Sequence, residues 1–306
     1  MRYFLTTFFL IGWISSFCQW VTVEPRDVKK LCREKIRVFE LKEANDEAKE
    51  LNAVIKKFFT KTWDMCEVQF IPHQDNNPEY EKEGFHIAFY FTQNPPDKSL
   101  IGKNEKGDFN FHLNFNSCKP ADRELAHYQR SLISYDLWRD IPGTIADTAQ
   151  SIEDALISYT YNIGLKNKLA LTLHCFKTLL EDIVENKKST IEDLAQKNIA
   201  TANYPILVFN KGDLPNSINK EDEFKKYTKR KVLLVEPKYF KNSKQGFVEV
   251  GVVLIYPYRG KDKQDIISVY EINSGKLIGR FNTVLDKAGT ITKKEVIQIL
   301  DNLEMV

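Results

Sequence analysis

The sequence predicts an α/β protein of the α+β kind, two related β-α-β-β-β units joined by a helical connector, and three observations carry that prediction. A β-rich run over 36–39 is followed by apolar residues at Ala44, Ala48, Leu51, Ile55 and Phe58, which fall on one face of a helix. Phe85, Ile87, Phe89 and Phe91 alternate with His86, Ala88 and Tyr90, as Phe109, Phe111, Leu113 and Phe115 alternate with Asn110, His112 and Asn114. That period of two belongs to strands with one buried face. The same order then recurs in the carboxyl half, where both central strands open on Gly-Phe, at Gly84-Phe85 and Gly246-Phe247.

The elements follow in chain order. Residues 1–19 read as a secretory signal, with Arg2 as the positive end and an apolar stretch from Phe4 to Ile14 that is short for a membrane span. Cleavage falls near Cys18 or Gln19. An uncleaved anchor is the alternative, and a lipid on Cys18 is a second one that bulky Phe17 disfavours. The first α/β unit spans 20–120, with a strand over 67–71, a turn at Asp75 to Pro78, and strands over 85–91 and 109–115. The connector spans 121–202. Ser151 with Asp154 opens one of its helices, Leu165, Leu169, Leu173, Phe176, Leu180 and Ile183 form the apolar stripe of a second, and Ser189 with Glu192 caps a third. The second unit spans 203–306, with strands at 206–209, 232–235, 247–256 and 266–272 and a short helix over 220–227. A hairpin signal at Asn273-Ser274-Gly275 and a helix over 292–303 complete it.

Lys and Arg number 44 against 42 Asp and Glu, so a net charge of +2 supplies no electrostatic case for nucleic acid. Once the signal is removed, Cys32, Cys66, Cys118 and Cys175 remain. Export permits disulfides and four cysteines allow three complete pairings, none chosen by the sequence; buried thiols are the alternative. No Cys-x-x-Cys occurs, so neither a thioredoxin-type site nor a zinc knuckle is encoded.

The leader, the helix ending Phe58-Phe59-Thr60-Lys61-Thr62-Trp63 and the later run from Pro205 to Leu214 together resemble exported α/β proteins of Bacteroidota. The resemblance covers most of the chain after the leader. It implies location and architecture, and brings no activity or catalytic residue with it.

Two segments mimic known chemistry. Asn210-Lys211-Gly212-Asp213 has the shape of a guanine-reading motif, but the phosphate loop that nucleotide binding requires is missing: Gly102 to Gly107 has the spacing and continues with Asp108 instead of Lys. No nucleotide is expected. Asp286 to Glu295 echoes the end of a calcium loop, yet aligning it places Val284 first and Ala288 fifth, too few oxygens for calcium, and Thr292 with Glu295 is a capping box. No Gly-x-Ser-x-Gly or His-Glu-x-x-His is present, and no cofactor or metal is expected.

The remaining candidate is the polar face of the first sheet. His86, Tyr90, Asn110, His112 and Asn114 share that face if the two strands pair antiparallel, and one register makes the two histidines diagonal neighbours. Such a face can hold a small polar ligand, or a metal if a carboxylate joins it; a solvated surface, or one covered by helices, is the structural alternative. The strand over 247–256 is apolar on both sides and is expected to be buried. The sequence therefore predicts an exported protein of the periplasm or cell envelope that binds a protein or a small polar ligand there. It predicts no nucleic acid and no stable membrane span after signal cleavage. An enzyme with its site where the two units meet is the alternative.

Overall fold

A computed structural model describes residues 23–43, 46–73, 82–93, 109–118, 129–138, 165–187, 189–202, 205–210, 214–215, 217–218, 220–235, 252–259, 265–271, 274–283 and 291–304. Residues 1–19, read above as a signal, the Ser151–Asp154 helix start, the Gly246-Phe247 pair, Lys211 to Asp213 and Asp286 to Thr290 lie outside them.

The first part of the chain runs α1 (Pro25–Leu31), β1 (Lys35–Phe39), α2 (Asp46–Lys61), β2 (Glu67–Ile71), β3 (Gly84–Gln93), β4 (Phe109–Cys118) and β5 (Gln129–Trp138). Two helices follow, α3 (Leu165–Glu185) and α4 (Ile191–Ile199). The rest is β6 (Ile206–Asn210), α5 (Glu221–Phe224), β7 (Lys231–Val235), β8 (Val252–Arg259), β9 (Asp265–Glu271), β10 (Leu277–Thr283) and α6 (Lys293–Glu304). Helices and mixed sheets make this an α+β fold.

The first sheet has the order β2-β1-β3-β4-β5 and the second, read from its other edge, β7-β6-β8-β9-β10. In each, the first three strands are parallel and the remaining pairings antiparallel. The parallel pairs need a crossover, and α2 and α5 supply it between β1 and β2 and between β6 and β7. The turn into α2 is held by Asn52, whose side chain accepts from Leu41 N and donates to Leu41 O, both at 2.9 Å. This buried amide stands in for a strand partner at the end of β1.

One face of the first sheet packs Ile36, Val38, Phe85, Ile87, Leu113 and Phe115 against Leu51 and Ile55 of α2 and Leu173, Phe176 and Leu180 of α3. Phe176 anchors the contact, stacked on Trp63 at 5.8 Å and edge-on to Phe115 at 5.4 Å. Val208, Tyr270 and Leu277 of the second sheet join the same apolar cluster, so α3 lies between the two sheets. The opposite face of the second sheet, with Leu207, Phe209 and Ile267, packs on Phe224 of α5 and on Val296, Ile299, Leu300 and Leu303 of α6. The layers are therefore sheet, helix, sheet, helix.

Several expectations are corrected. The segment 121–202 is not helical throughout, because β5 lies in it and forms an edge of the first sheet. The cap of α4 is Thr190 with Asp193 rather than Ser189 with Glu192. The helix expected over 220–227 is the single turn Glu221–Phe224. The strand expected over 247–256 extends to Arg259, its described part starting at Val252. At the carboxyl end, Thr292 N and Oγ1 both donate to Glu295 Oε2, at 2.9 and 2.8 Å, and the first of these is the bond from the N-cap backbone to the side chain three residues on that a capping box contains. Gly275, at φ 72°, makes the β9–β10 turn. A side chain there would meet Thr178 Oγ1 at 2.8 Å and His174 Nε2 at 2.9 Å.

Candidate functional site

Strand register decides which side chains can act together. Across the first sheet, Gln69 pairs with Arg37, Arg37 with His86, His86 with Asn116 and Asn116 with Ser131. One polar residue from each of the five strands thus occupies a single transverse row. The neighbouring row, Phe70, Val38, Ile87, Phe115 and Ile133, is wholly apolar and belongs to the core face. Alternation across the pleat separates the two.

Arg37, His86 and Asn116 of this row are buried and Gln69 is half-buried. Arg37 is 9% exposed, His86 1%, Asn116 5% and Asn114, two positions along β4, 5%. Burial at this level requires hydrogen-bond partners. The residues leading into β3 provide two: Arg37 Nη1 donates to Glu83 O at 2.9 Å, and His86 Nε2 lies 3.1 Å from Lys82 O. A carbonyl can only accept, so Nε2 carries the proton in that contact. The His86 ring also stacks on Phe39 at 5.6 Å. Gly84 permits the approach: its φ is +133°, and a Cβ there would stand 2.8 Å from Arg37 Nη1. Opposite Gly84 in the ladder is buried Cys118, whose thiol burial pushes up while the Arg37 charge pulls it the other way. The Gln69 side-chain oxygen is buried with no hydrogen-bond partner among the described residues.

Of the residues singled out in the sequence, His86 and Asn114 are placed on this face and buried, which corrects the expectation of an open face. The ladder pairs Tyr90 with His112 and Thr92 with Asn110, and the side chains of Tyr90, Asn110 and His112 lie outside the described set. The histidines are not diagonal neighbours. His112 pairs with Tyr90, four residues beyond His86, about 13 Å at the rise of an extended strand. Next to His112 in the ladder is Asp136 of β5. Arg37, Gln69 and Asn116 were not foreseen, although Arg37 sits between buried Ile36 and Val38 in a pattern that already alternates. Asn116 lay beyond the strand end inferred at Phe115.

In the second sheet the analogous row is Leu233, Val208, Leu254, Tyr270 and Leu277. It carries no charge, and Val208, Tyr270 and Leu277 pack into the shared core. Where the two sheets approach, Tyr135 and Tyr270 rings lie 6.5 Å apart. Burial raises both the Tyr270 phenol and the Cys175 thiol far above their usual ranges. Both groups stay protonated at neutral pH, the opposite of what a nucleophile requires. Among the described residues, no three His, Cys, Asp or Glu side chains converge as metal ligands, and no helix is long and apolar enough to cross a membrane. Comparison with protein-family models, with curated proteins and with solved structures gave no match to this chain.

Proposed function

We propose that this is an exported binding protein of the periplasm or cell envelope, which holds a small polar ligand on the second face of its first sheet. The observation that carries this reading is the polar row Gln69, Arg37, His86, Asn116 and Ser131, set against the apolar row at the same place in the second sheet. A face needed only for packing is more stable when apolar, so the buried polar groups of Arg37, His86 and Asn116 in line cost stability. Gln69 sharpens the ligand class. Its buried, unsatisfied oxygen asks for a hydrogen-bond donor, so the ligand carries an N–H or O–H group. The leader of residues 1–19 supports export.

Gln69→Leu tests the reading. In the absence of ligand this variant is expected to be more stable than the parent by up to about 1 kcal/mol, because a buried acceptor without a partner is removed. A thermal-shift screen of sugars, amino acids and hydroxy acids should find a compound that raises the melting temperature of the parent, and Gln69→Leu should lose that response. Equal responses in parent and variant would remove Gln69 from the site. Fractionation of cells expressing the full chain, with mass spectrometry of its amino terminus, checks the location: retention in the cytoplasm with residues 1–19 intact would overturn export.

A further inference from the structure

The segment that links α5 to β7 gathers cations along α6. Tyr227 N and Thr228 N both bond Phe224 O, at 2.8 and 3.1 Å, which folds the chain back after the single turn of α5. Thr228 Oγ1 then accepts from Arg230 N at 3.0 Å and donates to the Glu304 carboxylate, and Arg230 Nε lies 3.6 Å from the same carboxylate oxygen. Tyr227 meets the other end of α6, with Lys293 Nζ 5.9 Å from the centre of its ring. The segment is thus fastened at both ends of one helix. It carries exposed Lys226, Lys229 and Lys231 beside half-buried Tyr227, and α6 adds exposed Lys293 and Lys294. The acids nearby are already engaged. Asp222 pairs with Lys225 at 2.6 Å and Glu304 with Arg230, while Glu221 accepts from Leu234 N and Glu223 from Lys220 N, each at 3.2 Å. None of the five lysines forms an ion pair among the described residues.

We infer that this face, the β7 edge of the outer helix layer, rests on the surface of an anionic phospholipid bilayer. Charge complementarity carries the inference. Lysine is a mobile point charge that suits a fluid, patternless anionic surface. Recognition of one fixed phosphate or carboxylate favours the planar fork of arginine, and the arginine of this segment is turned to Glu304. Tyr227 joins an apolar ring to a polar tip, the side-chain chemistry that sits at headgroup level. The layer order sets this face and the polar row at opposite ends of the stack, so the bound protein turns its first sheet away from the bilayer. The inference takes only the envelope location from the function proposed above, and neither its face nor its test involves the polar ligand.

The experiment is co-sedimentation of the full chain with two kinds of vesicle, phosphatidylcholine alone and an equal mixture of phosphatidylcholine and phosphatidylglycerol. The mixed vesicles are expected to bind about tenfold more tightly or better, and added salt to weaken that binding. Combining Lys226→Glu, Lys229→Glu and Lys231→Glu should remove the preference for the mixed vesicles. Lys29→Glu, Arg33→Glu and Lys35→Glu together change the net charge equally at exposed positions of α1 and β1, and should leave the preference within about twofold. Should the first triple variant fail to fold, the neutral set Lys226→Gln, Lys229→Gln and Lys231→Gln decides by the same comparison. Equal binding of the parent to both vesicles, equal losses in the two triple variants, or capture by soluble polyphosphate without binding to vesicles overturns the inference.

Discussion

Arg37 is a charge placed in the interior of a sheet face, and its position depends on a glycine. The guanidinium reaches Glu83 O only because Gly84 has no side chain and adopts φ +133°. Gly84→Ala is therefore expected to cost about 2 kcal/mol, combining backbone strain with displacement of Arg37. Arg37→Ala should cost a similar amount, about 2 kcal/mol, since it removes a buried side chain and the hydrogen bond it donates to Glu83 O. The double variant should cost less than the two combined, because both changes break one contact. Urea denaturation of the three proteins measures this coupling, and simple additivity would separate Gly84 from Arg37. At this scale the sequence showed half of the face. His86 and Asn114 were legible because phenylalanines and aliphatics flank them at a period of two. Gln69 was hidden although Glu67-Val68-Gln69-Phe70 alternates, because a strand of five residues with an exposed Glu67 reads as a solvated edge and nothing in it marks the Gln69 oxygen as buried.

The same logic separates the elements that were readable from the one that was not. The α3 stripe is long and regular enough that every residue assigned to it from the sequence, Leu165 to Ile183, lies within the helix. In β5 the pairing shifts between Asn116–Ser131 and Phe115–Ile133, which leaves Leu132 as an additional residue. Leu132 and Ile133 are consequently both buried, and the period that announces a strand is lost. Caps carry their own ambiguity, since Ser189 with Glu192 and Thr190 with Asp193 both satisfy the pattern one residue apart. The structure uses the second: Thr190 N donates to Asp193 Oδ2 at 2.9 Å and Asp193 N to Thr190 Oγ1 at 3.1 Å. Thr190→Ala should destabilise α4 by about 1 kcal/mol in thermal unfolding, whereas Ser189→Ala should change little. The Thr190 backbone, followed by its hydroxyl, holds the Asp193 carboxyl below its ordinary value of 3.8. A carboxyl depressed in the folded state stabilises above its unfolded value and loses that contribution as pH falls through the folded one. The Asp193 part of the cap is thus complete above about pH 3.8 and fades below it. An NMR titration should place Asp193 below 3.8 in the parent and closer to it in Thr190→Ala.

Across the whole molecule, α3 and α4 are what the two sheets have in common. Leu173 is fully buried in the cluster that holds residues of both sheets, so Leu173→Ala should cost about 2–5 kcal/mol. Asn198 ties the same layers by polar contacts, donating to Asp182 Oδ2 of α3 at 2.9 Å and to Leu277 O of β10 at 3.1 Å. Asn198→Ala should cost about 2 kcal/mol, because it leaves a buried carboxylate short of a donor. A core shared in this way predicts one cooperative transition in calorimetry, with the two sheets melting together, and two resolved transitions would contradict it. The segment boundaries suggested by the sequence are therefore poor places to divide the chain. A fragment of residues 203–306 would keep α5 and α6 on one side of its sheet and turn Val208, Tyr270 and Leu277 outward, wetting an oily surface that the intact chain keeps dry. Such a half-molecule would be adhesive, clumping with itself or drawing on chaperones during synthesis, until the helices made earlier in the chain close over it.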